Sequence, residues 1–544
     1  MAPTSPYICL NCRWAPRYRL NQLQLRRNFS FSPRHHQILR PATAPKPTPD
    51  LKHIRQNPER YAQNCIERNY AGHAGYPLQI QALSEEARQL DHDLKTPRSR
   101  VKQLEKTIAK LSIAARAGTE TNNETGDKAE QTDIEALKAE AQQLKDESAA
   151  MTARKSTCTE EITRLALSLP NLSSSETPVG DIPRLINYLN FDPANPPKWT
   201  SQSPSELQAR SHVTIGTNLG LLDFTSSATT TGWGWYFLIN EGAMLEQALV
   251  QYALSVARRR AWKPVSPPSI VYSYIAEACG FQPRDQHNEQ QIWGIEQSER
   301  DRDSKPQRSL TGTAEIPLAA MYAGRDIGAS ELPLKLAGSS RCYRAEAGSR
   351  GVDTKGLYRV HEFTKVELFA WADNVDVDSS AKAKAEATAT ASSDDLFAEL
   401  LDIQTEILTS LHLPCRVLEM PTGDLGASAT RKRDIEALFP SRLRSSASSD
   451  VVDPAIQELE SAWGEVTSAS ICTDYQSRRL ATRVRGGAAK DSRFPHTVNG
   501  TAMAVPRVLA AILENRFDPI RGVVVIPEVL RPWMDGMETI GAKQ

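Results

Sequence analysis

The sequence predicts an α+β protein: an antiparallel two-helix coiled-coil arm, then a core with an antiparallel sheet flanked by helices. Two stretches show parts of this directly, the arm and one strand pair of the core. Between Leu78 and Leu165, apolar residues recur mostly at alternating steps of three and four, the spacing of a coiled-coil seam. Between Arg341 and Trp371, RCYRAEAGSRGVDTKGLYRVHEFTKVELFAW reads as strand, loop, strand with a period of two. The antiparallel order of the sheet and its flanking helices rest on a set of ordered motifs farther along the chain.

Composition bounds the class. The chain has 544 residues, 40% of them hydrophobic, with 65 basic against 65 acidic side chains. That suits a soluble globular protein of two or three domains. No apolar run approaches the ~18 residues of a membrane span, so no membrane partner is expected. The eight cysteines are scattered, and only Cys9 and Cys12 form a CxxC pair. No second ligand pair follows at zinc-finger spacing, so reduced thiols are expected. Residues 1–49 stand apart, with seven Arg, one Lys and neither Asp nor Glu. That is the composition of a mitochondrial transit peptide, and Arg27-Asn28-Phe29-Ser30 resembles a matrix-processing site. A disordered basic tail is the plainer alternative.

The arm is expected over 50–175. Its first helix carries apolar residues at 78, 83, 87, 90, 94, 101, 104, 108 and 111. Its second carries Ile134, Leu137, Ala141, Leu144, Met151, Cys158, Ile162 and Leu165. The polar stretch GTETNNETGDKAEQTD between them reads as the hairpin tip. Pro97 should kink the first helix. From Lys95 to Lys110 there are six basic residues and one acid, Glu105. On a protruding arm such a run can track a phosphate backbone; an ordinary solvated helix face is the alternative.

In the central stretch, Arg359, His361, Phe363, Lys365 and Glu367 should share one strand face, opposite Val360, Glu362, Thr364, Val366 and Leu368. Cys342, Arg344 and Glu346 should share a face of the first strand. Gly348, Gly351 and Gly356 allow the loop to fold over that surface. Arg344 and Arg359 offer planar forks suited to phosphate. Phe363 can stack on a base, Glu346 can accept from an exocyclic amine, and Glu367 from an ammonium or hydroxyl. A solvated face of paired charges is the alternative.

CYRAEAGSRG followed by KGLYRVHEFTKVELF resembles motif 2 of the seryl-tRNA synthetases, a class II aminoacyl-tRNA synthetase family. LPN (169–171) and PVG (178–180) resemble the family's arm-to-core linker, and the catalytic domain is expected over 176–544. HVTIGTNLGLLDF and YFLINEGAMLEQAL resemble the start of the core proper, from about Ser211. A helix from about Gly242 to Arg260, followed by VSPPSIV, is similar to motif 1, which implies a homodimer. Trp233-Gly234-Trp235 departs from the family's usual Ser-Arg-Phe. VNGTAMAVPRVLAAILEN (498–515) resembles motif 3. Pro506 suits a first helical turn, which puts Arg507 at a helix N-terminus where anions are favoured. Stretches near 376–394 and 445–453, rich in Ala and Ser, read as insertions.

The resemblance implies ATP-dependent ligation of L-serine to the 3′ end of a mitochondrial serine tRNA, through a seryl-adenylate, in the mitochondrial matrix. It assigns ATP to Arg344, Glu346, Arg359, Val360, Phe363, Glu465, Ser468 and Arg507. Arg344 and Arg507 are the catalytic pair: Arg344 bridges the serine carboxylate and the α-phosphate, and Arg507 holds the γ-phosphate. TGTAEIPL (311–318) supplies Thr313 and Glu315 for serine, joined by Arg344, Glu367, Asn499 and Thr501. EVTSASICTDYQSRR (465–479) supplies Glu465 and Ser468 for Mg²⁺. The tRNA falls to the arm, through Arg98, Arg100, Lys102 and Lys106. A catalytically idle paralogue acting as a binding protein is the rival reading, and should have lost Arg344, Glu367 or Arg507. A coiled-coil scaffold with an unrelated core does not explain the ordered motifs, and neither a GxxxxGK[ST] loop nor a strand-linked GxGxxG is present.

Overall fold

The computed structural model describes residues 39–118, 126–281, 291–302, 304–346, 356–374, 391–443, 459–486 and 492–541. The Cys9/Cys12 pair and the Arg27–Ser30 site lie outside the described residues. So do Gly348, Gly351, the 445–453 stretch and the 376–394 stretch up to residue 390.

The N-terminal part is helical: α1 (Leu51–Gln56), α2 (Pro58–Glu67), α3 (Tyr76–Asp93), α4 (Lys95–Gly118) and α5 (Gly126–Ser168). α3 and α4 run antiparallel to α5, and the cross-pairs descend one helix as they climb the other: Glu86–Arg154 at 2.6 Å and Glu105–Lys145 at 2.8 Å. The seam forms largely as spaced, with Leu94, Leu104, Ala141, Cys158, Ile162 and Leu165 buried. Leu78 does not join it. It is 54% exposed, while Ile80 is fully buried. At the arm's base α1 and α2 also pack on α3, so the buried face there turns toward Ile54 and Cys65 rather than toward α5 alone. Pro97 acts as expected. It has no N–H for the Asp93 carbonyl, and the helix breaks at Leu94 into α3 and α4. The tip is shorter than the polar stretch suggests, because α5 already begins at Gly126.

The core holds eight strands in one sheet: β1 (Arg184–Leu189), β2 (Lys263–Val265), β3 (Leu334–Tyr343), β4 (Glu362–Ala372), β5 (Cys415–Glu419), β6 (Arg431–Leu438), β7 (Trp463–Thr473) and β8 (His496–Ala504). Their order is β1-β5-β6-β7-β8-β4-β3-β2. Every neighbouring pair is antiparallel except the edge pair β2–β3, which is parallel. The core therefore begins at β1, well before Ser211, because β1 closes one edge of the sheet.

Three helices cover one face: α6 (Glu241–Arg259), α8 (Ser393–Ser410) and α10 (Val505–Asn515). The alternation of β4 decides which residues meet them. Val366, Leu368, Ala370 and Ala372 join a single apolar cluster with Leu249 and Val256 of α6, Leu400 and Ile403 of α8, and Leu509 and Ile512 of α10. α8 starts where Ser392 and Asp395 form a reciprocal capping box, so the expected 376–394 insertion ends before its last residues. The other face of the sheet carries Phe363, Lys365 and Glu367 of β4.

The arm is tied to the core by buried polar groups. Arg68 is 1% exposed and donates to the carbonyls of Asn171 and Gly426. The Asn171 amide in turn donates to the carbonyls of Ser428 and Cys472, both at 2.9 Å. On a short helix α9 (Tyr475–Leu480), Arg479 donates to the carbonyls of Leu167 and Leu169 at the end of α5. Residues 39–49, counted with the N-terminal basic segment on composition, pack here too. Arg40 lies 5.2 Å from the Tyr274 ring, and the Thr48 amide donates to the Arg478 carbonyl at 2.8 Å. The described folded unit thus starts eleven residues earlier than the acid-free composition suggests, at Leu39 rather than at Asp50.

Candidate active site

Two β-bulges on adjacent strands aim the site. Glu465 and Ser468 are three residues apart on β7, and a regular strand would send them to opposite faces. The pairing with β6 slips between Ile435 and Glu436: Glu436 faces Glu465 while Ile435 faces Thr467. The extra residue, Val466, restores Glu465 and Ser468 to one face. β8 does the same one strand over. Thr501 pairs with Glu367, Met503 with Val366 and Ala504 with Lys365, leaving Ala502 as the extra residue. Met503 then enters the core, while Thr501 and Ala504 face the cleft.

The cleft contains about 540 Å³ of empty space. Arg344, Glu346, Arg359, Val360, Phe363, Glu465, Ser468, Thr501 and Arg507 all line it. The remaining proposed serine residues lie deeper and are buried: Thr313, Glu315, Glu367 and Asn499. Lys365 joins the two zones. It lines the cleft, and its ammonium is 2.6 Å from Glu367. Thr501 donates to the same carboxylate at 3.3 Å. Glu315 opens helix α7 (Glu315–Ala320), its amide bonded to the Thr313 hydroxyl at 3.3 Å and its carboxyl to the Gln476 amide at 2.6 Å.

Charge is graded along this path. Burial, with Glu367 beside it, pushes the Glu315 carboxyl up to about 8 against the pull of Lys365, Gln476 and Arg344. At the cleft end the balance reverses. Burial disfavours an ionised Glu465, but Arg507, Lys432 and Arg344 together hold it down at about 2. Arg507, in the first turn of α10, donates to the Tyr358 carbonyl at 3.0 Å and to the Glu465 carboxylate at 3.1 Å. Its guanidinium lies 4.6 Å from the Tyr358 ring, and Arg442 lies 4.5 Å from the same ring. The site is thus a cationic cleft with two carboxylates, Glu346 and Glu465, ending in a buried pocket that holds two acids and one lysine.

The strands around the central loop are shorter than the period-two reading. β4 begins at Glu362, so Arg359 and His361 precede it; β3 ends at Tyr343. Arg344 still donates its amide to the His361 carbonyl at 2.9 Å, one step beyond the ladder. Glu346 then turns to φ 49°, the left-handed region, and binds Arg359 at 3.1 Å. Phe363 meets the Arg344 guanidinium at 5.3 Å.

Comparison with known proteins gives this geometry a lineage. Residues 299–516 match the family model for the class II tRNA synthetase core domain (G, H, P, S and T). Residues 49–173 match the model for the seryl-tRNA synthetase N-terminal domain. The mitochondrial serine–tRNA ligase of Saccharomyces cerevisiae is 38% identical over 81% of this chain and 86% of its own length. The chain belongs to the seryl-tRNA synthetase family. The mitochondrial serine–tRNA ligase of Mus musculus, another relative, is 33% identical over 81% of this chain and 76% of its own. A solved seryl-tRNA synthetase from Pyrococcus horikoshii, complexed with ATP, superposes with a TM-score of 0.67 at 26% identity, covering 91% of this chain and all of that one.

For a seryl-tRNA synthetase, the arm's cations divide by helical angle. Each residue turns ~100° about the helix axis, so Lys95, Arg98, Lys102 and Lys106 form one exposed stripe beside the seam. Arg100 falls on the other edge and forks onto Glu140 of α5 at 2.8 and 3.2 Å. It joins the two helices, as Arg98 also does through the Thr152 hydroxyl of α5 at 3.1 Å. Sequence reading also left Lys365, Tyr358, Gln476 and Lys432 out of the site. Lys365 shares its strand face with Phe363 and Glu367, a signal available from spacing alone. Tyr358 and Gln476 sit inside the quoted motif stretches beside named site residues, whereas Lys432 comes from outside them and only the fold brings it in.

Proposed function

We propose that this protein joins L-serine to the 3′ end of a mitochondrial serine tRNA, using ATP and passing through seryl-adenylate. The observation that carries the reading is the continuity of the cationic cleft with the buried acid pair Glu315 and Glu367. A nucleotide's phosphates suit Arg344 and Arg507, and an amino acid's ammonium suits the acids behind them. Arg344 stands between the two zones, where a serine carboxylate attacking the α-phosphate in line would develop charge. Losing one such donor typically costs about 10²–10³ in rate. Thr313, Thr501 and Asn499 give the deep pocket the polar lining a hydroxyl needs, with Arg359, Val360, Phe363 and Glu346 left for the nucleotide.

The residues present fit Mg²⁺. Glu465 is ionised, 40% exposed in its side chain and beside the Ser468 hydroxyl on one face, and Mg²⁺ commonly takes one or two carboxylates plus substrate phosphates. Bound there, the ion would neutralise phosphate charge. The arm (50–175) would hold the tRNA through Arg98, Lys102 and Lys106, with Arg100 contributing beside its helix clamp. The catalytic domain (176–544) would pair as a homodimer through α6 and β2. The acid-free, Arg-rich composition of residues 1–49 and the mitochondrial relatives support a matrix location.

The test is pyrophosphate exchange by the purified protein across the amino acids. Serine should support it and alanine should fail by a large factor, because a pocket built to bond a hydroxyl is left with unpaired polar groups by an analogue without one. Comparable exchange with alanine would overturn the reading, and no exchange with any amino acid would favour the idle paralogue.

A further inference from the structure

Trp233-Gly234-Trp235, the departure from the family's usual sequence, surrounds a residue at the active site. The His361 ring sits among three indoles, with centroids 5.7 Å from Trp233, 5.8 Å from Trp235 and 5.9 Å from Trp293. Trp233 and Trp293 meet it edge to face, at 82° and 89°. Gly234 makes the box possible. Its φ is +84°, and a Cβ there would stand 2.5 Å from the imidazole Cδ2. Its carbonyl accepts the His361 amide at 2.9 Å.

The ring is aimed at Arg344. Nδ1 of His361 lies 3.2 Å from the Arg344 carbonyl oxygen. A carbonyl only accepts, so the bond sets the tautomer with the proton on Nδ1. The His361 carbonyl receives the Arg344 amide at 2.9 Å, and the next amide, Ala345, donates to the Gln291 carbonyl at 3.2 Å. Arg344 is therefore gripped on both sides of its own peptide, one residue past the end of β3 and just before the left-handed turn at Glu346. Its side chain has lighter support: the Gly312 carbonyl at 3.4 Å and the Phe363 ring.

We infer that His361 is a positioning residue for Arg344, and that the tryptophan box around Gly234 exists to hold the imidazole in that role. The inference rests on the reading of Arg344 as the residue at the reacting phosphate. His361 touches no substrate in this scheme. It holds the backbone from which the guanidinium reaches the cleft, so its loss should act through Arg344 alone.

The experiment is a double-mutant cycle read by serine-dependent pyrophosphate exchange. Arg344→Ala and His361→Gln should each lower kcat by about 10²-fold, with the KM for ATP changing less. The double variant should be no slower than Arg344→Ala, because nothing remains to be positioned. His361→Asn places an amide N–H close to the Nδ1 position and should stay within about fivefold of the parent rate. Gly234→Ala, which pushes the ring aside, should match His361→Gln and likewise cost nothing more in the Arg344→Ala background. Losses that multiply in the double variants would overturn the inference, as would a folded His361→Asn protein as slow as His361→Gln. If His361→Gln does not fold, the Asn variant and the Gly234 cycle decide alone. A full rate from Arg344→Ala would instead remove the reading of Arg344 itself.

Discussion

Serine binding should release a proton, and the source is Glu315. With its carboxyl near 8, about nine in ten molecules of the free protein carry the proton on Glu315 at pH 7. The groups facing it are Glu367, Lys365, Gln476 and Arg344. None supplies a cation in direct contact, whereas a serine ammonium would. Bound serine should therefore pull the carboxyl to its ionised form and expel about 0.9 proton per site at pH 7 and about half a proton at pH 8. The dissociation constant should fall about tenfold from pH 6 to pH 7 and level off above pH 8. Calorimetry in two buffers of different ionisation enthalpy measures the released proton, and fluorescence titration measures the affinity. Glu315→Gln should bind more weakly, with buffer-independent heat. The same group marks stability. Its folded value lies above the ordinary 4.5, so the folded state binds the extra proton between those limits. Stability should thus decline as pH rises from about 4.5 to 8, and Glu315→Gln should flatten that decline. Buffer-independent heat and a flat affinity between pH 6 and 8 in the parent protein would refute the reasoning.

Other perturbations separate the parts. Replacing residues 95–151 with a short linker keeps the base cluster of Ile54, Ile80, Ile162 and Leu165; pyrophosphate exchange should survive while tRNA charging collapses, and equal loss of both would show that the arm supports the core. Arg344→Lys should be nearly as slow as Arg344→Ala in exchange, since an ammonium cannot span two oxygens; a mostly active Lys variant would rule out the bidentate role. Arg68→Ala leaves the Gly426 carbonyl without that donor and should cost about 2 kcal/mol or more in stability, read by denaturant unfolding; an unchanged midpoint would mean that the buried guanidinium contributes little. Residues 1–38 fused to a reporter should send it to mitochondria, and a cytosolic reporter would count against the targeting segment.

What could be read from the sequence followed from periodicity and local chemistry. The heptads placed the arm's seam because burial along a helix repeats every few residues. The seam failed only at Leu78, where α1 and α2 add a neighbour that no heptad encodes. β4 declared its core face through Val366 and Leu368. Arg359 and His361 obey the same alternation on paper yet lie before the strand, since alternation says which face a residue would take and not where pairing stops. Arg68 and Arg100 were beyond reach for another reason: their partners, Gly426 and Glu140, are distant in sequence.

The deepest gap between sequence and site lies in the two bulges. In a regular β7, Glu465 and Ser468 would face opposite sides, and one of them would enter the apolar layer with Val466 and Ala469. In a regular β8, Thr501 and Met503 would share a face, so either a thioether would enter the cleft or a hydroxyl the core. Each strand takes up one extra residue, Val466 or Ala502, at the same level of the sheet. The Thr467 hydroxyl bonds the Thr501 carbonyl, and Gln404 of α8 donates to the carbonyls of Ser468 and Thr501 at 2.8 and 2.9 Å, bracing both irregular strands from the core side. Gln404 is fully buried in an otherwise apolar helix face, where its amide nitrogen is bonded to both strands but its Oε1 has no partner, a placement that costs stability. Its presence there makes sense as the support that holds two deliberate departures from strand geometry, and those departures put one carboxylate, two hydroxyls and the edge of the deep pocket on the single face where Arg344 and Arg507 converge.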